Sequence, residues 1–171
     1  MSHTSREIAA PVDRVWEVLI DPTTYPRWLI GAQTIRDVDD TWPGPGSAFH
    51  HRVGLGPLTI PDRTTIRAIE HHRALDLAVR ARPLVATTAR FRLVSDGRRT
   101  VVSLEEEPDV PVLGELLRPL LDPSTHVRNH RSLRRLERVV MERQVTGEIA
   151  VVAASPAVAG HGADPSGGAR A

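Results

Sequence analysis

Apolar side chains recur at helical spacing near both ends of the chain and alternate with polar ones in between. Val12, Val15, Trp16 and Leu19 fall on one face of a helix, with Asp13, Arg14 and Glu17 on the other. Pro11 suits the first helical turn, and Asp13 complements its positive end. Ahead of it, residues Arg6 to Ala10 run into a proline, which favours an extended backbone before it, so a strand is expected there. After it, Asp21-Pro22 reads as a cap with a first-turn proline, and Tyr25-Pro26 restarts the turn. One or two short helical pieces are therefore predicted over Pro22 to Ile30, ended by Gly31. Helices shorter than about 12 residues are marginal alone, so these depend on burying Trp16, Tyr25, Trp28 and Leu29 against something concave.

Six strand-like runs follow between Ala32 and Glu107: AQTIRDVD, SAFHHRVGL, LTIPDRTTIRAIE, ALDLAVRA, VATTARFRLVS and RTVVSLEEE. The separators between them hold Pro, Gly, Asp or polar pairs, and Asp96-Gly97 is the strongest hairpin signal. Phe49, His51, Val53 and Leu55 share one parity, as do Leu75, Leu77 and Val79, then Phe91 and Leu93, then Val102 and Leu104. Arg52, Arg80, Arg82, Arg90 and Arg92 take the other. A sheet with one dry and one wet face needs a cover. The segment from Val110 to about Gln144 supplies it: Leu113, Leu116, Leu117, Leu120 and Leu121 lead into Val127, Leu133, Leu136 and Val140 at helical period. Pro119 and Pro123 are expected to kink or split that helix near its start.

Length and composition narrow the picture further. At 171 residues the chain suits one domain, placed at 1–145, and an Ala/Gly/Pro-rich stretch from 146 to 171 is expected to be a disordered tail, its EIAVVAA forming a short strand or extending the helix. No apolar run approaches a membrane span and the start lacks a signal-peptide pattern, which points to a cytoplasmic protein. Cysteine is absent, which removes disulfides, thiolate metal sites and cysteine nucleophiles. The 22 basic residues, all arginine, suit a GC-rich bacterial genome, and 21 acidic ones bring the net charge to +1, so nucleic acid is not an expected partner.

The stretch REIAAPVDRVWEVLIDPTTYPRW, with FRLVSDGRRTVVSLEEE before the final helix, resembles the START and birch-allergen-like superfamily (SRPBCC), above all its polyketide cyclase/dehydrase branch. The resemblance covers residues 3 to 144. It implies an α+β helix-grip fold: a curved seven-stranded antiparallel sheet wrapped around a long C-terminal helix, with two short helices after the first strand. An apolar cavity between sheet and helix then takes a sterol, lipid, polyketide or hormone. Carriers, cyclases and chaperone-associated modules share this plan, so the fold does not choose among them.

Three ionisable groups share the dry parity: His51, Asp62 and Glu106. An isolated buried charge costs several kcal/mol, so such groups are paired, at a rim, or used. In a cavity they suit acid–base catalysis, with His51 the shuttle near neutral pH; a bulge near Pro61 or Pro108 turns the two carboxylates outward instead. Trp28, Phe49, Leu77, Phe91 and Leu104 are expected on the cavity wall, and His126, Asn129 and His130 as a polar lining from the long helix. A His pair four apart lacks a third ligand and an HExxH base, so neither metal nor cofactor is expected. Arg128, Arg131, Arg135 and Arg138 read as a solvated helix face. The sequence thus favours a hydrophobic small-molecule binder, monomeric or homodimeric, over a cyclase or dehydratase using His51 with Asp62 or Glu106, or a protein-interaction module.

Overall fold

Period-two alternation closes into one sheet. The computed structural model describes the backbone over residues 2–55, 58–81, 85–108 and 113–154, and side chains over 2–54, 58–80, 86–107 and 125–147. Strand β1 (Ser2–Ile8) leads to helix α1 (Val12–Ile20), a 3-10 turn (Pro22–Thr24) and helix α2 (Tyr25–Trp28). Strands β2 (Ala32–Val38), β3 (Ala48–Leu55), β4 (Leu58–Glu70), β5 (Ala74–Ala81), β6 (Val85–Ser95) and β7 (Thr100–Pro108) follow, then helix α3 (Leu113–Ala154). The seven strands pair antiparallel in the order β1-β7-β6-β5-β4-β3-β2. The chain meanders from β2 to β7, and β1 lies beside β7, so α1 and α2 carry the chain from one edge of the sheet to the other. This is the helix-grip architecture.

Two boundaries differ from the sequence reading. The first strand starts at Ser2 rather than Arg6, because Ser2 and Thr4 take the buried parity that hydrophobic residues usually mark. Small polar side chains hid it. The last helix runs beyond Gln144 to Ala154, through Pro119 and Pro123, as one element rather than a split one. In a helix of 42 residues a proline removes one backbone bond among many, and Gly147 costs only about 1 kcal/mol. Thr146 bonds back to Glu142 O at 2.9 Å inside the helix. Of the two alternatives for EIAVVAA, the helix is extended, up to Ala154; residues 155–171, like Arg82, Val110 and the side chains of Leu55 and Leu113 to Leu121, lie outside the described ones.

The core joins Ile8 of β1, Val15 and Leu19 of α1, and the sheet's dry face to Leu133, Leu136 and Val140 of α3. Burying each such side chain contributes about 1.5–3 kcal/mol. Ion pairs that fix α3 include Arg6 to Glu137 at 2.5 Å, Arg27 to Glu142 at 2.5 Å and Arg143 to Asp21 at 2.6 Å. Their partners lie on β1, on α2 and at the end of α1, so the stretch of α3 from Glu137 to Arg143 is tied to three parts of the chain. Among the described residues, no helix is long and apolar enough to cross a membrane.

Candidate functional site

A cavity of about 200 Å³ opens on the dry face of the sheet, between α2 and α3. Strand alternation aims residues from β3 to β7 into it: His51, Asp62, Leu77, Phe91, Leu104 and Glu106, joined by Val53, Thr64, Val79, Thr87 and Ala89. Tyr25, Trp28, Leu29 and Ile30 border one side, and Arg128 reaches in from α3.

The aromatic border is held by hydrogen bonds within the α1–α2 segment. The Trp28 indole N–H donates to Thr24 Oγ1 at 3.0 Å, and that hydroxyl donates to Val18 O at 2.8 Å. The Tyr25 hydroxyl donates to Leu19 O at 2.8 Å. Burial, with a smaller push from the Asp21 charge, holds the Tyr25 phenol well above its ordinary value, so it stays a neutral donor. The rings form one connected set: Tyr25 lies 4.7 Å from Trp28 and 4.8 Å from Phe49, and Trp28 lies 6.0 Å from Phe91. The clustering of aromatics in a chain otherwise poor in them has its cause here.

His51 and Asp62 stand directly opposite across β3 and β4. Gly54 allows that register, since a Cβ at that position meets Leu58 O at 2.0 Å, so any larger residue forces the two strands apart. His51 Nε2 lies 3.3 Å from Asp62 Oδ2, and both side chains are 1% exposed. Asp62 Oδ1 accepts the amides of Arg63 at 2.6 Å and Arg80 at 3.1 Å. The carboxylate is thus fixed in place, with Oδ2 toward the imidazole. His51 Nδ1 and Asp62 Oδ2 make no hydrogen bond among the described residues, and a buried unsatisfied polar atom costs about 1–3 kcal/mol. A ligand hydroxyl in the cavity, which both donates and accepts, is the kind of group that relieves that cost.

Glu106 also lies on the cavity wall, paired with Arg128 rather than with His51. Arg128, read from sequence as part of a solvated face, is exposed but also borders the cavity, a position that reading did not give it. A buried glutamate needs a counter-charge, and that need is the sequence signal.

Trp28, Leu77, Phe91 and Leu104 line the cavity as expected, whereas four other expected lining residues do not. Phe49 is fully buried behind the wall, packed against Tyr25, Trp42 and His51. Asn129 faces inward and is fully buried, accepting from Arg128 Nε at 3.3 Å, but it stands off the cavity. His126 and His130 are exposed. The buried stripe of α3 passes through 129, 132, 133, 136, 139 and 140, which leaves positions 126 and 130 on its flanks. His126 Nδ1 instead lies 3.4 Å from Thr4 Oγ1. Among the described residues no three His, Asp or Glu side chains converge as a metal site requires.

The chain matches a family model described as polyketide cyclase / dehydrase and lipid transport over residues 2–141. No curated protein matches its sequence. Solved structures similar to it include a conserved protein from Geobacillus kaustophilus, 13% identical with a TM-score of 0.64, covering 82% of this chain and 94% of that one. The ZhuI aromatase/cyclase from Streptomyces sp. R1128 is 18% identical with a TM-score of 0.60, covering 82% and 93%. CalU16 from Micromonospora echinospora is 22% identical with a TM-score of 0.56, covering 90% and 87%. At such identities the likeness carries the fold alone.

Proposed function

The chain belongs to the polyketide cyclase/dehydrase and lipid transport family, and on that premise we propose that it binds a hydrophobic or aromatic small molecule in the cavity between sheet and α3. The observation that carries this reading is a mostly apolar cavity into which a few polar groups converge, the usual make-up of a ligand site. Its size refines the class. About 200 Å³ exceeds the ~150 Å³ that takes up benzene in an engineered core and falls below the ~300 Å³ at which drug-sized pockets begin. The bound part is then one or two fused rings, or the end of a longer chain, bearing a hydroxyl or carbonyl for His51. Native mass spectrometry of protein taken directly from its host is expected to retain a molecule of that class. Loss of the added mass in Ala89→Phe, which fills the cavity, supports the site; no retained ligand and no uptake of 1-naphthol overturn the proposal.

A second reading, a cyclase- or dehydratase-like enzyme, is favoured by one observation, the buried His51–Asp62 pair on the cavity wall. Asp62 Oδ2, 3.3 Å from Nε2, is placed to take a hydrogen bond from the ring as substrate binds, with Nδ1 left for the substrate. From a β-hydroxy carbonyl compound the imidazole removes the proton α to the carbonyl. The C–O bond breaks as the C=C forms, and the same proton returns to the departing hydroxyl, which leaves as water. Glu106 and Arg128 form the polar end that holds the carbonyl. His51→Gln, close in volume, is expected to lower turnover of such a substrate at least a hundredfold with the affinity for naphthalene, which has no hydroxyl, within threefold of wild type. An unchanged rate removes the enzyme reading and leaves the binding one.

A further inference from the structure

Three described arginines on the outer side of the sheet pair with carboxylates, Arg90 with Glu107 at 2.9 Å, Arg92 with Asp76 at 2.5 Å and Arg99 with Glu7 at 2.7 Å, and Arg52 bonds to Thr59 Oγ1 at 2.7 Å. Arg63 and Arg80 have no such partner among the described residues. They stand directly opposite each other across β4 and β5, both exposed, and neither side chain makes an ion pair or hydrogen bond with any described residue. Like charges at opposed positions destabilise a sheet. His50 stands opposite Arg63 across β3 and β4, so His50, Arg63 and Arg80 form one row over three adjacent strands, each about 4.8 Å from the next.

The row borders an open groove of about 620 Å³ on the face of the sheet away from the cavity, with Pro61, Thr65 and Arg67 beside it and Ala78 beneath. Ala78 pairs with Thr65 next to the two arginines, so the floor there is low and long side chains can fold over it. Among the described residues, neighbouring acids make no ion pair with either guanidinium group. Asp62 borders the groove, but its Oδ1 accepts the backbone amides of Arg63 and Arg80, which holds their strands in register without engaging the guanidinium groups. Asp37, opposite His50 on β2, accepts the Val38 amide at 3.0 Å and does not border the groove.

We infer that this row is an oxyanion site that takes the phosphate group of a small soluble molecule. Two guanidinium forks side by side offer paired N–H donors to two edges of a tetrahedral anion and balance its two charges, whereas a carboxylate has oxygens for one fork only. The net charge of +1 excludes a general attraction for anions, so the affinity must come from this local arrangement. The inference stands apart from the cavity and does not depend on what the cavity binds.

The test is titration of the full chain with inorganic phosphate at constant ionic strength, followed by amide NMR, with chloride as control. Amides of His50, Arg63, Thr65 and Arg80 are expected to shift saturably, and glycerol phosphate is expected to reproduce the pattern. Arg63→Gln and Arg80→Gln each weaken binding at least tenfold, and Arg92→Gln leaves it within twofold. Both weakening variants keep or raise the melting temperature in phosphate-free buffer, since a like-charge pair has gone, and phosphate raises the melting temperature of the wild type alone. A response equal to that of chloride overturns the inference, as does one unchanged in both variants. Binding to phosphatidylglycerol vesicles without a response to either small phosphate assigns the groove to a lipid surface and overturns it too.

Discussion

Thr24 decides whether Trp28 can form part of a cavity wall. Its hydroxyl takes the indole N–H and passes a hydrogen bond on to Val18 O, so a polar edge is satisfied inside an apolar region. Thr24→Val keeps the volume and strands the indole donor and a buried carbonyl together, at an expected cost of about 2 kcal/mol in denaturant unfolding. A loss under about 0.5 kcal/mol contradicts that role. At this scale the sequence was a partial guide. The dry parity placed His51, Asp62 and Glu106 on the cavity wall correctly, because alternation along a strand fixes a face with no knowledge of neighbours. The partners were legible only in part: the sequence left Asp62 or Glu106 for His51, the register across two strands decides for Asp62, and that Glu106 meets Arg128 depends on where a helix crosses. His126 and His130 failed for a related reason, since a helix face only a third of a turn away from the buried stripe is already wet.

Elements, unlike pairings, were written almost completely in the chain. The runs quoted for β4, β5 and β6 coincide with the observed strands, because Pro, Gly and charged turns bound them on both sides. What local pattern could not give was the polar inward parity of β1, and between a strand and a helix for EIAVVAA it did not choose. The joint between α1 and α3 carries its own prediction. Burial pushes the Asp21 carboxyl up, but hydrogen bonds from the Thr23 hydroxyl, Arg143 and the Thr23 amide outweigh it and hold the group below its ordinary 3.8. The folded state thus binds the proton less readily than the unfolded chain. Its contribution is fully present above about pH 5 and is lost as the pH falls through 3.8 toward the depressed value. Stability of the wild type is expected to fall more steeply than that of Asp21→Asn over that acid range; equal slopes in pH-dependent unfolding contradict the assignment.

For the molecule as a whole, the helix-grip plan explains why one chain combines a one-sided sheet, a long amphipathic helix and a cluster of aromatics between them. The sheet meanders from β2 to β7, β1 closes beside β7, and α1 with α2 crosses from edge to edge, which brings Tyr25 and Trp28 over the cavity. Order of elements and family were legible because each depends on many weak signals that agree. Cavity size was not, since it depends on how closely facing surfaces pack, and packing has no signature in a single sequence. The central claim is that a small aromatic molecule sits inside that space, and the most direct measurement is isotope-filtered NMR of the protein with 1-naphthol. Saturable contacts from the probe to the methyl groups of Val53, Leu77, Val79 and Leu104, abolished in Ala89→Phe, are the predicted result. Contacts confined to the exposed methyls of Val94 and Val101, or none at saturation, contradict the account.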